Sequence, residues 1–186
     1  MVRNIVFLLI SKIKKVVHTY RVNMYNLREG IQIQKKAFLD KSINISNIRG
    51  GTVEIDSYTE VLFGVCLMAY GGKIKIGKYC SINPYTIIYG HGQGVTIGDN
   101  VLIAGHCMII PANHEFKNKN IPINQQGMKS KGIIIENNVW IGAGCVILDG
   151  VHIGQGSVIA AGSIVNKSVD CFSMYGGVPA RLIKRI

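Results

Sequence analysis

Acidic residues are scarce in this chain, ten Asp and Glu against 21 Lys and Arg in 186 residues, and proline and tryptophan are scarcer still, at four and one. Each shortage excludes something. The longest apolar run near the start, residues 5–10, falls far short of the roughly 20 residues that span a bilayer. No small-residue cleavage site follows it, so no secretory signal is expected. Cysteine occurs five times, at Cys66, Cys80, Cys107, Cys145 and Cys171, an odd count with no C-x-x-C spacing. That argues against a disulfide framework and against a zinc site, so no metal is expected. Reduced thiols without an export signal point to the cytoplasm. No recognition-helix, zinc-finger or aromatic-stacking pattern accompanies the positive charge, so no nucleic-acid partner is expected.

The basic excess, 21 − 10 = 11, is uneven. Residues 1–41 hold nine basic residues and only two acidic ones, Glu29 and Asp40. Such a stretch is either a solvated face or a contact for an anionic surface. Residues 2–22 can form a helix with Ile5, Leu9, Ile13, Val16 and Tyr20 on one face. Two readings of it stay open: a cap over the end of the fold, and a basic amphipathic helix resting on anionic lipid at the inner face of the membrane.

Glycine, by contrast, is abundant, at 22 residues. With many Ile, it favours short strands and tight corners over long helices. A beat of six then emerges. It runs through Ile135, Ile141, Ile147, Ile153, Ile159 and Val165, and through Ile97, Ile103 and Ile109. Earlier copies are Ile76, Ile82, Ile88, then Ile55, Val61, Leu67, and a first one at Ile33, Leu39, Ile45. Four places after these lie small or β-branched residues, among them Thr59, Val65, Cys80, Thr86, Val101, Cys107, Val139, Cys145, Val151, Ser157, Ser163 and Val169. An amphipathic helix would repeat at three and four, never at a sustained six. Three such units make one triangular coil, and stacked coils pair as parallel strands around a buried column. The central cysteines fall on the small inward column, where a free thiol packs as a small hydrophobe.

Coil starts 135, 153 and 171 are 18 apart, whereas 55, 76 and 97 are 21 apart, so the earlier coils carry extra corner residues. The beat stops after Ile109 and resumes at Ile135. The segment 115–131 therefore loops out, and long excursions from compact folds are usually functional. The expected organisation is an all-β chain. It has a helical cap over residues 1–30, a parallel β-helix over 31–178 and a tail over 179–186.

The run "IIIENNVWIGAGCVILDGVHIGQGSVIAAGSIV" at 133–165, followed by "GGVPARLIKRI" at 176–186, resembles the hexapeptide-repeat acyltransferases. It looks most like the galactoside, maltose and surface-polysaccharide acetyltransferases. The resemblance covers roughly residues 50–186. It implies a left-handed coil, a homotrimer and acetyl-CoA as donor. It places the family's catalytic His at His114, in "IIPANHEF", with Trp140 as a wall of a neighbouring subunit's site and Ala143 as an oxyanion donor. By the same resemblance Asn83 in "CSINPYTI" holds the acceptor, although Ser81 competes for that alignment. Ala161 lets the pantetheine arm pass, while Lys167, Arg181 and Lys184 meet the nucleotide phosphates. Where relatives often carry Thr-Lys, this chain has Asn166–Lys167.

The residues themselves are compatible with these roles. An imidazole, ionising near pH 6.5, can take the proton of an attacking hydroxyl and return it to a thiolate. His91, in the Gly-rich corner "YGHGQG", is a candidate for the acceptor pocket. Glu115 follows His114 immediately but projects to the opposite side of an extended strand, so a backbone carbonyl is the expected partner of the ring. Cations suit the donor's phosphates. The reading is a sugar O-acetyltransferase of surface-polysaccharide synthesis, acting by direct transfer. Alternatives are an N-acetyltransferase of a nucleotide-linked amino sugar, a streptogramin-type drug acetyltransferase, a non-catalytic β-helix scaffold, and a γ-carbonic anhydrase relative using His91, His106 and His114.

Overall fold

The computed structural model describes residues 2–186, and the side chains of all of these except residues 2–11, 14 and 15. The chain folds as a left-handed parallel β-helix of about six turns behind an N-terminal helix, Val2–Asn26.

The six-residue beat is the core register. On the first face Ile33 pairs with Ile55, then Ile76, Ile97, Ile135 and Ile153. On the second, Leu39 pairs with Val61, then Ile82, Ile103, Ile141 and Ile159. The third face stacks Ile45, Leu67, Ile88, Ile109, Ile147 and Val165. All of these are buried. The excursion does not break the ladder, because Ile97 meets Ile135 directly.

The second column is buried too, and its polar members do more than fill space. Thr59 donates its hydroxyl to the Gly77 carbonyl at 2.6 Å and accepts from the Cys80 N–H at 3.0 Å. Thr86 repeats this with Ala104 and Cys107. The thiols of Cys80, Cys107 and Cys145 lie 3.1–3.2 Å from the carbonyls of Gly98, Gly142 and Ala160. Corner backbone groups that the strands leave unpaired thus find partners inside the column, as buried polar groups must.

Corners are turned by residues with positive φ. Several are not glycine: Tyr58, Tyr79, Tyr85, Asn100, His106 and Asn138 have φ between 56° and 63°. The left-handed conformation costs such residues about 1–2 kcal/mol each. Stacking between coils offsets it: the Tyr58 and Tyr79 rings lie 5.0 Å apart and nearly parallel, and Tyr85 stacks on His106 at 5.2 Å.

Both ends of the column are covered. Val22 is buried, and His18, Arg21 and Tyr25 reach the carbonyls of Ala37, Leu39 and Ile43. Asn26 pairs both ways with Ile33. The last turns of the helix therefore satisfy the unpaired edge of the first coil, the usual liability of an edge strand. The face that packs is not the apolar stripe expected from the sequence. Ile13, Val16 and Tyr20 point to solvent, joined by Val17, Met24 and Leu27; the side chains of Ile5 and Leu9 lie outside the described residues. At the other end the beat of 18 fails. Residue 171 does not start a new coil: Cys171 is exposed, Val169 bridges to Ile153, Ser173–Gly177 adds in parallel to Val158–Ile159, and Ala180–Arg185 turns back antiparallel on it.

Candidate active site

Every extra residue of the longer coils lies at the same edge, where the third face gives way to the first. The corner segments are 47–51, 69–72, 90–94 and, in the fourth coil, the whole excursion. That excursion leaves the coil at Pro111 and returns at Gly132, wider than the sequence indicated. It is not structureless, since Asn113–His114 pairs antiparallel with Met128–Lys129.

Three anchors hold its roots. Asp149 accepts from the backbone N–H groups of Lys131 and Gly132 at 2.7 and 3.0 Å, and from the Asn113 amide at 3.3 Å. The Ser130 hydroxyl lies 2.6 Å from the Pro111 carbonyl and accepts from the Gln93 N–H at 3.0 Å. Gly92, with φ 54°, lets Ser130 come this close, because a Cβ there would sit 2.5 Å from the Ser130 Cβ. Glu115 pairs with Lys129 at 3.2 Å across the strand pair.

Between the excursion and the corner segments 47–51 and 90–94 lies a cavity of 620 Å³ whose walls include His114, His91, Arg49, Gln93, Asn124 and Lys129. His114 is exposed into it, and among the described residues nothing hydrogen-bonds its ring. The backbone carbonyl expected to orient it is therefore not met within the chain, and Glu115 is occupied elsewhere. His91 is half-buried and stacks near Tyr70 and Tyr89. Burial holds its imidazole below the ordinary histidine range, helped by the positive charge of Arg49 and by His114.

The other expected site residues lie elsewhere on the same chain. Ala143 and Ala161 are exposed at the edge between second and third faces, in adjacent coils, with the Gly162 N–H donating to the Ala143 carbonyl at 2.8 Å. The Ala143 N–H has no acceptor within the chain among the described residues. A Cβ on Gly142 would meet the Ala161 backbone at 2.6 Å, so that glycine serves coil stacking, whereas a Cβ on Gly144 would meet nothing within 4 Å. Arg181, opposite Gly176, and Lys184, opposite Met174, project from the terminal strand pair beside the Ala160 coil. Lys167 is exposed after the last third-face strand. Trp140 stands exposed on the second face beside Leu102. The Asn83 amide donates to the Ile103 carbonyl at 2.9 Å and lies 3.3 Å from the Ser81 hydroxyl. Neither Asn83 nor Trp140 lines the His114 cavity.

His106 stacks on Tyr85 at a different edge from His91 and His114. His152 pairs with Glu136 at 2.8 Å on the first face. Among the described residues no three His, Cys, Asp or Glu groups are placed to hold a metal ion. Hydrogen bonding to Cys145, and burial, push the Cys107 thiol far up, so it stays protonated.

Sequence reasoning missed Arg49, Ser130 and Asp149. One signal for Arg49 existed: the first coil is also long, 55 − 33 = 22 residues, and its surplus falls at "NIRGG".

The repeat and this architecture define a class, and comparison with known proteins agrees. The family described as bacterial transferase hexapeptide (six repeats) matches residues 132–167. The match falls on the hexapeptide repeats of the later coils. Among relatives, the galactoside O-acetyltransferase of Escherichia coli (strain K12) is 43% identical over 121 residues, covering 63% of this chain and 57% of the relative. The putative lipopolysaccharide biosynthesis O-acetyl transferase WbbJ of the same organism is 35% identical over 130 residues, covering 66% of each chain. The chain thus spans less than two thirds of the length of either curated relative. A variant of AntD, an N-acyltransferase from Bacillus cereus solved with dTDP-4-amino-4,6-dideoxyglucose and coenzyme A, superposes with a TM-score of 0.75 at 27% identity, covering 88% of this chain and 87% of AntD.

Proposed function

We propose that the protein is an acetyl-CoA-dependent sugar O-acetyltransferase of surface-polysaccharide synthesis, with His114 as general base. The observation that carries this is the placement of the His114 imidazole, with no hydrogen-bond partner among the described residues, on the wall of a cavity at the root of the excursion. The two E. coli O-acetyltransferases support the reaction class and the acceptor class.

In this reading His114 accepts the proton of the acceptor hydroxyl as the new C–O bond forms at the thioester carbonyl. It then returns that proton to the departing thiolate of coenzyme A. The Ala143 N–H, exposed and without an acceptor among the described residues, suits the oxyanion that develops between those events. Arg181, Lys184 and Lys167 supply cations for the nucleotide phosphates, and exposed Ala161 leaves room for the pantetheine arm. No thiol is needed as a nucleophile.

His114 and Ala143 occupy different edges of one prism, so the site is completed only where the edge of one protomer faces that of the next. This favours a homotrimer, with Trp140 and Asn83 of one chain offered to the site of another. It also accounts for a base that finds no orienting partner among the described residues of its own chain.

A second reading, transfer to an amino group of a nucleotide-linked sugar, is favoured by the AntD likeness. Thiol release from acetyl-CoA, measured against neutral sugars, amino sugars and nucleotide-linked sugars, separates the two. Turnover with hydroxyl acceptors is expected, and turnover with amines alone would replace the first reading by the second. Native mass spectrometry tests the trimer.

Among the described residues no helix is long and apolar enough to cross a membrane. The exposed stripe Ile13, Val16, Val17, Tyr20 and Met24, beside Lys12, suits peripheral contact with anionic lipid. Co-sedimentation with phosphatidylglycerol vesicles tests that contact.

A further inference from the structure

We propose that the acceptor bears a negatively charged group and that Arg49 binds it, an inference that rests on the acetyltransferase reading and adds the charge of the substrate to it. Arg49 belongs to the first coil and His114 to the fourth. Parallel strands are spaced about 4.8 Å apart, so their backbones are separated along the prism by roughly 14 Å. Both nevertheless line one cavity, with His91 of the third coil between them. The space is a trench along the edge, deep enough for a sugar at one end and a substituent or second unit at the other. A further cavity of 360 Å³, sharing Gly92 and Gln93 and lined also by Gly71, Gly72 and Lys73, continues it.

The charge in this trench has one sign. Its walls hold Arg49, Lys73 and Lys129 and no Asp or Glu. The acids nearby are already engaged, Glu115 by Lys129 and Asp149 by three N–H donors. Lys129 is thereby neutralised, but Arg49 forms no ion pair among the described residues. Its field reaches His91, which it helps to keep neutral. A planar guanidinium without a carboxylate presents paired N–H donors suited to a carboxylate or phosphate. A neutral sugar would leave that charge facing the bound substrate without compensation, whereas an anionic one neutralises it.

One chemistry is required, an oxyanion group some distance from the reacting hydroxyl, and two sources supply it. One is the carboxylate of an acidic sugar, the other the phosphate of a nucleotide-linked sugar. The test uses matched pairs with the whole protein: glucuronate against glucose, and UDP-glucose against glucose. Binding of each is followed by calorimetry and by the NMR signal of the His91 ring, and turnover by thiol release. At least one anionic member should bind and react at least about tenfold better than its neutral partner. That ratio should collapse in Arg49→Ala and Arg49→Gln, mainly through KM, and be partly kept in Arg49→Lys. Which pair shows the preference identifies the source. Equal use of charged and neutral acceptors, or a preference untouched in variants that melt like the parent protein, overturns the proposal. If no acceptor turns over but glucuronate or UDP-glucose binds in an Arg49-dependent way, the acetyltransferase reading falls and the anion site stands.

Discussion

Asn113 and Asp149, one beside the candidate base and the other a full coil later, are joined by a hydrogen bond of 3.3 Å. The same carboxylate holds the returning strand through Lys131 and Gly132, so a single side chain ties both roots of the excursion.

Replacing Asp149 should therefore loosen the base without melting the coil. Hydrogen bonds to a charged group contribute about 1.5–3 kcal/mol each, and a misplacement of about 1 Å at a reacting group can cost two orders of magnitude in rate. In Asp149→Ala, amide exchange across 111–132 should accelerate while the ladder residues Ile103 and Ile141 keep their protection. Turnover should fall at least tenfold. Asp149→Asn, which retains one acceptor oxygen, should lie between. Unchanged exchange in the excursion would remove Asp149 from this role.

The two glycines flanking Ala143 should behave differently. In Gly142→Ala the new Cβ meets Ala161 backbone atoms at 2.6–2.8 Å, which nothing but separation of the coils relieves. Overpacking of this kind costs about 1–3 kcal/mol or more. Gly144→Ala meets nothing within 4 Å, and only its φ of 69° opposes the change, at about 1 kcal/mol. Thermal melts should rank Gly142→Ala well below Gly144→Ala, and the reverse order would contradict the packing described.

His91 carries a pH signature with a definite sign. Burial first, then Arg49 and His114, depress its folded-state ionisation. The folded protein therefore binds fewer protons than the unfolded chain just below pH 6.5. The stability contributed by keeping this ring neutral is present above about pH 6.5 and is lost as pH falls through the depressed folded value. Arg49→Ala removes one repulsion, so the His91 titration followed by NMR should move upward. A titration unmoved by that change would show that Arg49 does not act on the ring.

The fold was legible because its signal is chemical and periodic. Ile at every sixth place and small residues four places on are what a triangular column requires, and the register of Ile33 through Ile153 follows that beat. It ended where the chemistry ended: Cys171 has the spacing of a coil start but lies exposed, since the terminal strand pair takes over the stacking. The helix was legible as an element but not in its orientation. Val22 and the polar tips of His18, Arg21 and Asn26 do the packing, because the open coil edge offers carbonyls and N–H groups rather than apolar surface. At the site, His114 was marked by the family resemblance of "IIPANHEF" and His91 by its Gly-rich corner. Arg49 and Asp149 were not, since they lie 65 residues before and 35 residues after His114. Only the stacking of the coils brings them to one edge.

The most direct test of the central claim is the turnover of His114→Ala with acetyl-CoA and the best acceptor found. A base that carries the acceptor's proton predicts a fall in kcat of about 10²–10⁴, with acetyl-CoA affinity nearly unchanged because the cations proposed for its phosphates, Lys167, Arg181 and Lys184, do not line the His114 cavity. A variant that turns over like the parent protein would contradict it.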